Sequence, residues 1–140
     1  MSQITSFSGA YRWLSNFWPV EITREDGITY PSSEHAYVAS KVITLSTRRW
    51  IASIETAGQV KRAGRTLVLR DDWEQVKRAE MLSILRLKFQ NPELADKLRA
   101  TGNATLVEGN TWGDTYWGVC NGQGHNVLGQ LLMLVRSELQ

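Results

Sequence analysis

Hydrophobic spacing along the chain predicts a mainly helical protein. The longest helical pattern runs from about Asp72 to Gln90, with apolar residues three or four positions apart and an aspartate as N-cap. Asn91-Pro92 ends this helix and begins the next, which Gly102 follows. A closing helix is expected over 127–139, where the run LLMLV indicates a buried face.

Alternating patterns predict a smaller β component. The runs 20–23 and 28–30 flank Glu25-Asp26-Gly27, which favours a hairpin with a short turn. Short strands are also expected at 4–7 and 105–108. The fold class is therefore α+β: a single compact, mainly helical domain formed by all 140 residues, with a small β-hairpin or sheet.

Other segments are less regular. Residues 8–17 have the composition of a polar and aromatic loop, and 46–64 has the spacing of two short helices broken at Gly58. Four tryptophans lie in segments rich in Gly, Asn, Ser and Asp, where a loop aromatic can stack on a planar ligand. Packing in the core is the alternative for each of them: Trp13, Trp18, Trp112 and Trp117.

The segment PSSEHAYVASK, residues 31–41, predicts a short helix with chemical groups on one face. One of its serines is expected to cap the helix, because serine side chains accept hydrogen bonds from the free N–H groups of a first turn. Glu34 and Lys41 are two turns apart and differ by about 20° in azimuth, with Tyr37 between them. Few other charges remain for a solvated face, so we expect a mostly buried helix, and a site is favoured over ordinary surface charges.

A glycine-rich segment, 109–129, precedes the closing helix. Such a loop can bring its backbone close to a ligand, and free N–H groups at a helix start favour an anion, whereas simple turn formation is the alternative. Asp114 lies three residues before Trp117, and a carboxylate beside aromatic rings can stabilise a developing positive charge. A lone aspartate in a loop is also a common turn former.

Composition narrows the function classes. The net charge is only +2, from 16 basic and 14 acidic residues, which gives little support for a nucleic-acid-binding surface. One cysteine, Cys120, and two histidines are too few for a zinc site, and Cys120 has no evident histidine partner as a nucleophile. With no signal-peptide pattern and no apolar run of about 20 residues, we expect a cytoplasmic protein that needs neither metal nor membrane.

Four ordered blocks resemble the NADAR family, also called YbiA-like, over nearly the whole chain: LSNFWPVEI, YPSSEHAYVASK, GRTLVLRDDWEQVK and LVEGNTWGDTYWGVCNGQGHNVLGQLLM. The resemblance implies a compact α+β domain that cleaves N-glycosidic bonds of ribose without a cofactor. It implies three catalytic residues: Lys41, which would form a Schiff base with C1′, Glu34 and Asp114. It also implies substrate-binding positions at Asn16, Trp73, Trp117, Gly118 and Asn126.

The resemblance leaves the substrate open. Members of the family remove ADP-ribose from guanine in DNA or RNA, or ribose 5-phosphate from riboflavin-pathway intermediates. The loop after Trp117 reads GVCNGQGHN rather than a lysine-rich GDGG type, and His125 stands where some members have lysine. Both departures favour ADP-ribosylated guanine as substrate, with phosphoribosyl intermediates as the alternative and a non-catalytic nucleotide-binding module as a further one.

Lysine chemistry adds a physical requirement. At an ordinary pKa of about 10.4, only about 0.04% of a lysine is neutral at pH 7, so burial must lower the pKa of Lys41 before it can attack C1′. An ionised Glu34 nearby would raise that pKa. The two groups should therefore share a pocket without forming a tight, isolated ion pair.

Overall fold

The computed structural model describes residues 2–140. Their contacts divide this part of the chain into two compact units, one formed by 16–88 and the other by 2–15 together with 89–140. The elements in chain order are β1 (Gln3–Ile4), a 3₁₀ helix (Gly9–Leu14), β2 (Pro19–Thr23), β3 (Thr29–Ser32), α1 (Ser33–Ser40), α2 (Leu45–Ala52), α3 (Ala57–Gly64), α4 (Trp73–Lys88), α5 (Pro92–Ala100), β4 (Thr105–Leu106), β5 (Gly109–Asn110), β6 (Val119–Cys120) and α6 (Val127–Glu138).

In the unit 16–88, β2 and β3 form the expected antiparallel hairpin, with Ile22 opposite Tyr30. Helix α1 follows β3 directly and packs against α2, α3 and α4. Seven of its eight residues are buried, which confirms the prediction of a mostly buried helix. The core of this unit is apolar and comprises Ile22, Tyr30, Ala36, Val38, Ala39, Val42, Ile51, Val60 and Ile84.

The other unit is built from short strand pairs and helices. Strand β1 pairs in parallel with β4, and β5 pairs in parallel with β6. Helix α5 contacts α6, and α6 contacts β4. The Trp13 ring packs edge-on against Phe89, with centroids 6.5 Å apart. The α+β class and the mainly helical content are therefore as predicted.

Several local predictions were wrong. The segment 8–17 is not simply a loop, because it contains the 3₁₀ helix and buries Trp13. Gly58 does not separate α2 from α3 but lies inside α3, which begins after a reciprocal capping box between Thr56 and Gln59. The strand expected at 4–7 is Gln3–Ile4, and the pair β5 and β6 was not predicted.

No helix among the described residues has the length and apolarity needed to cross a membrane.

Two helical glycines provide a matched test of packing. A Cβ at Gly129 in α6 would lie 2.1 Å from the Leu106 carbonyl oxygen, whereas the nearest atom to a Cβ at Gly58 would be Arg62 Nη1 at 3.9 Å. We expect Gly129→Ala to lower the free energy of unfolding by at least about 2 kcal/mol. Gly58→Ala should raise it by about 0.5 kcal/mol, since alanine favours the helix. Urea denaturation measures both free energies of unfolding. A Gly129→Ala variant as stable as the wild type would contradict the close packing of Gly129 against the Leu106 carbonyl.

Candidate active site

A buried hydrogen-bond chain fixes the start of α1. The Ser32 hydroxyl oxygen accepts from the His35 backbone N–H at 3.1 Å and lies 2.7 Å from His35 Nδ1. His35 Nε2 lies 2.8 Å from the Ile54 carbonyl oxygen, which can only accept. Nε2 therefore carries the proton, and Nδ1 accepts from Ser32 in the neutral ring. Burial lowers the pKa of His35, which favours this neutral form.

Glu34 is held in the first turn of this helix. Its backbone N–H donates to the Asn16 carbonyl oxygen at 2.9 Å, and the residue is only 8% exposed. Asn16 Nδ2 donates to the Met81 sulfur at 3.7 Å. Two nearby side-chain oxygens, Asn16 Oδ1 and Ser33 Oγ, are buried without a hydrogen-bond partner among the described residues. Such buried atoms are costly to leave unsatisfied, so a water molecule is the expected partner beside the start of α1.

Lys41 ends the same helix and is half-buried. Its Nζ lies 5.1 Å from the centroid of the Tyr37 ring and 3.8 Å from the point that a Cβ on Gly64 would occupy. Burial lowers the pKa of Lys41, the charge of Glu34 raises it and the charge of Lys61 lowers it. The net direction is downward, which is the direction that a nucleophilic lysine requires.

Hydrogen bonds of the segment 70–73 link the end of α1 to the start of α4. The Arg70 backbone N–H donates to the Lys41 carbonyl oxygen at 2.8 Å, and the Trp73 N–H donates to the Arg70 carbonyl at 3.1 Å. The Arg70 guanidinium binds Asp72 through two hydrogen bonds, of 2.6 and 3.2 Å. Trp73 is 5% exposed, and its ring lies 5.5 Å from that of Tyr37. Trp73 thus supports Tyr37, while its contact with substrate stays a prediction.

Lys88 is a second lysine with a lowered pKa, and sequence reasoning missed it. It ends α4, is completely buried, and burial lowers its pKa to about 7. A substrate cannot reach an amine with no exposed surface. Of the two lysines, the half-buried Lys41 is therefore the accessible one.

In the other unit, Asp114 forms a turn. Its Oδ1 accepts from the backbone N–H groups of Tyr116 at 3.2 Å and Trp117 at 2.9 Å. The Asn110 side chain binds both the N–H and the carbonyl oxygen of Asp114. The Trp117 ring packs edge-on against Tyr116, with centroids 4.8 Å apart. The turn-forming alternative is thus present, and the catalytic role of Asp114 stays a prediction.

Close packing around Glu108 explains why glycine stands at position 118 and asparagine at position 126. A Cβ on Gly118 would lie 2.2 Å from the Glu108 carbonyl oxygen, so only glycine fits. Asn126 Oδ1 accepts from the Glu108 N–H at 2.9 Å, and its Nδ2 donates to the Leu106 carbonyl at 2.9 Å. Both residues therefore have structural roles, and their contacts with substrate stay predictions.

The described residues include no group of three His, Cys, Asp or Glu side chains that could hold a metal ion.

Sequence reasoning also missed a cationic and aromatic pair beside Lys41. The Lys61 Nζ lies 5.7 Å from the centroid of the Phe17 ring, and Phe17 is 43% exposed. The charge of Lys61 acts on Lys41. The available sequence signal was the three-residue spacing of Lys61 and Gly64, which places both on one face of α3.

The site and fold together define a small α+β protein in which a buried helix carries an acid, an aromatic ring and an amine toward one place. A sequence model of the NADAR domain matches residues 5–140. The chain belongs to the NADAR domain family.

Relatives cover most of the chain. It is 42% identical over 140 residues to N-glycosidase YbiA of Shigella boydii, and the alignment covers 96% of this chain and 85% of the relative. It is 40% identical over 132 residues to a riboflavin biosynthesis protein of Vibrio vulnificus, covering 91% of this chain and 35% of that protein. The NMR structure of the Escherichia coli protein YbiA matches with a TM-score of 0.84 and 40% identity, covering 98% of this chain and 83% of that one.

The balance of charges at Lys41 can be tested directly. Because Glu34 raises the pKa of Lys41, Glu34→Gln should lower that pKa further. The measurement is an NMR titration of ¹³C-methylated lysines, of which the chain has five, with the Lys41 signal assigned from Lys41→Arg. Glu74→Gln removes a carboxylate that pairs with Lys77 instead and is the matched control. A higher pKa of Lys41 in Glu34→Gln would contradict the described electrostatics.

Buried, neutral His35 makes stability depend on pH. Its pKa is lowered in the folded state, so the unfolded chain binds its proton first as the pH falls below about 6.5. His35 therefore contributes stability that is present above that pH and is lost below it. Urea denaturation between pH 7 and 5 should show a steeper loss for the wild type than for His35→Gln. His125→Gln, at the exposed second histidine, is the control, and equal slopes for all three proteins would contradict the role of His35.

Proposed function

We propose that this chain is an N-glycosidase that hydrolyses the bond between C1′ of a ribose and a nitrogen of a base, with Lys41 as the nucleophile. The name of the relative from Shigella boydii, an N-glycosidase, supports the reaction class. One observation supports the role of Lys41. Its half-buried amine lies over the Tyr37 ring, at the end of the helix that also bears the carboxylate of Glu34.

The proposed reaction balances protons within the site. The neutral Lys41 amine attacks C1′, and the electron pair of the breaking C1′–N bond leaves with the base. Glu34 accepts the proton that the amine loses and returns a proton to the base nitrogen. The ribose ring of this glycosyl-lysine then opens: the nitrogen lone pair forms the C1′=N bond of a protonated Schiff base as the C1′–O4′ bond breaks, and O4′ takes a proton from water. The hydroxide left from that water adds to C1′, and the sugar leaves as its aldehyde, which restores the neutral amine. The lowered pKa of Lys41 supports the first step because it increases the neutral fraction.

The leading candidate substrate is ADP-ribosylated guanine in DNA or RNA. The loop sequence after Trp117 supports it, since GVCNGQGHN departs from the lysine-rich type that the riboflavin branch carries. The second candidate is a phosphoribosyl intermediate of riboflavin synthesis. The relative from Vibrio vulnificus and a chloroplastic riboflavin biosynthesis protein of maize, 33% identical over 144 residues, favour it.

Base release with both substrates tests the proposal. DNA carrying ADP-ribosylated guanine and the phosphoribosyl pyrimidine intermediates are incubated separately with the protein, and released sugar and base are measured. Lys41→Met should lower the rate by about 10³-fold or more, because no other group at C1′ replaces the amine. Borohydride added during turnover should trap a covalent sugar adduct on the wild type and none on Lys41→Met.

Lys97→Met is the control, since Lys97 is an exposed lysine on α5. It should retain both activity and adduct. A trapped adduct on Lys41→Met would contradict the role of Lys41. Binding of ADP-ribose without release of a base from either substrate would instead support a non-catalytic binding module.

A further inference from the structure

One turn of α3 brings a second cation close to the Lys41 amine. Lys61 and Gly64 are three residues apart on this helix and share a face. Gly64 lies directly against α1: a Cβ there would be 3.2 Å from both Val38 methyl groups and 3.8 Å from Lys41 Nζ. Lys61 is therefore one helical turn from the place where α3 meets the proposed nucleophile.

Phe17 positions the ammonium of Lys61. The Nζ lies 5.7 Å from the centroid of the Phe17 ring, within the range of a cation–π interaction. Phe17 directly follows Asn16, whose carbonyl oxygen accepts from the Glu34 N–H. The pair formed by Phe17 and Lys61, here called the Phe17–Lys61 rim, thus borders the surroundings of both Glu34 and Lys41.

We propose that the Phe17–Lys61 rim is the subsite for the 5′-phosphate of the ribosyl substrate, with Lys61 as the phosphate ligand and Phe17 as its positioning residue. An ammonium is a compact charge that binds phosphate well, and phosphate is the group that both candidate substrates carry at O5′. The inference rests on the proposed function, and it predicts that the enzyme selects phosphorylated ribosides over free nucleosides.

The electrostatics of the site agree with this geometry. Two charged groups act on Lys41: Glu34, on its own helix, raises its pKa and Lys61, on α3, lowers it. An anion bound to Lys61 would offset the cation and raise the pKa of Lys41. The phosphate subsite and the amine are thus electrostatically coupled, and a phosphate at Lys61 has a signature that can be read at Lys41.

The binding experiment uses ribose 5-phosphate and ribose as probes. Each is titrated into the wild type, Lys61→Met, Lys61→Arg and Arg62→Met, and affinity is measured by NMR. Arg62 is the exposed neighbour of Lys61, so Arg62→Met removes one cation from the same helix and leaves the rim intact. We expect Lys61→Met to weaken ribose 5-phosphate binding by about tenfold or more and Arg62→Met by less than about twofold. Lys61→Arg should retain most of the affinity, and ribose should not distinguish the variants.

The second readout is the pKa of Lys41 by ¹³C NMR of the methylated lysines. Ribose 5-phosphate should raise this pKa in the wild type, and Lys61→Met should raise it in the free protein. ADP-ribose as a further probe shows whether a diphosphate uses the same residue. Equal weakening by Lys61→Met and Arg62→Met, or an unchanged pKa of Lys41 in Lys61→Met, would overturn the proposal.

These readouts do not depend on catalysis. If Lys61 binds ribose 5-phosphate but no base is released from either substrate, only the proposed function fails. If bases are released and Lys61→Met binds ribose 5-phosphate like the wild type, only the phosphate subsite fails.

Discussion

The burial of α1 on nearly every side is the constraint on which the unit 16–88 depends. Seven of the eight residues of the helix are buried, although Glu34, His35 and three serines are among the polar residues at or beside it. Small residues such as Ala36 and Ala39 allow the neighbouring helices to approach. Once the helix is buried, its polar groups need partners from the surrounding chain, and this need explains the pairing of Ser32 with His35 and of His35 with the Ile54 carbonyl. The order of the site follows from satisfying these buried groups.

Packing, rather than any single charge, determines the state of the Lys41 amine. Burial is the largest influence on its pKa, and the charges of Glu34 and Lys61 act in opposite directions. The approach of α3 at Gly64 is therefore part of the surroundings of the amine, because a side chain there would meet both Val38 and the amine. The Arg70 N–H makes a second backbone contact at this helix end, because it donates to the Lys41 carbonyl oxygen. The proposed nucleophile would stay desolvated only if its neighbours cannot move away, and these contacts with the backbone hold them in place.

Local signals were sufficient for much of this fold. The serine cap, the spacing of Glu34 and Lys41 and the amphipathic pattern of α4 depend on residues within a few turns, and all three are seen in the structure. Local signals failed where other groups competed. Gly58 resembled a helix break, but the capping box at Thr56 starts α3 before it. Trp13 resembled a loop residue because its partner, Phe89, lies far along the chain. The proximity of Phe17, Lys61 and Lys41 likewise arises only when α3 packs on α1. The three-residue spacing of Lys61 and Gly64 places both on one face of α3, but it does not say which helix that face meets.

The difference between the two lysines with lowered pKa values explains why partial burial would suit the proposed nucleophile. Lys88 is completely buried, so its amine is readily neutral near pH 7 and yet unreachable. Lys41 is half-buried, and its pKa is lowered while one side stays open to a ligand. A substrate that covers that open side would exclude the remaining water and strengthen every electrostatic interaction around the amine. Desolvation of the nucleophile would then be completed by the substrate itself, so that the amine reaches its most reactive state only when a C1′ atom is beside it.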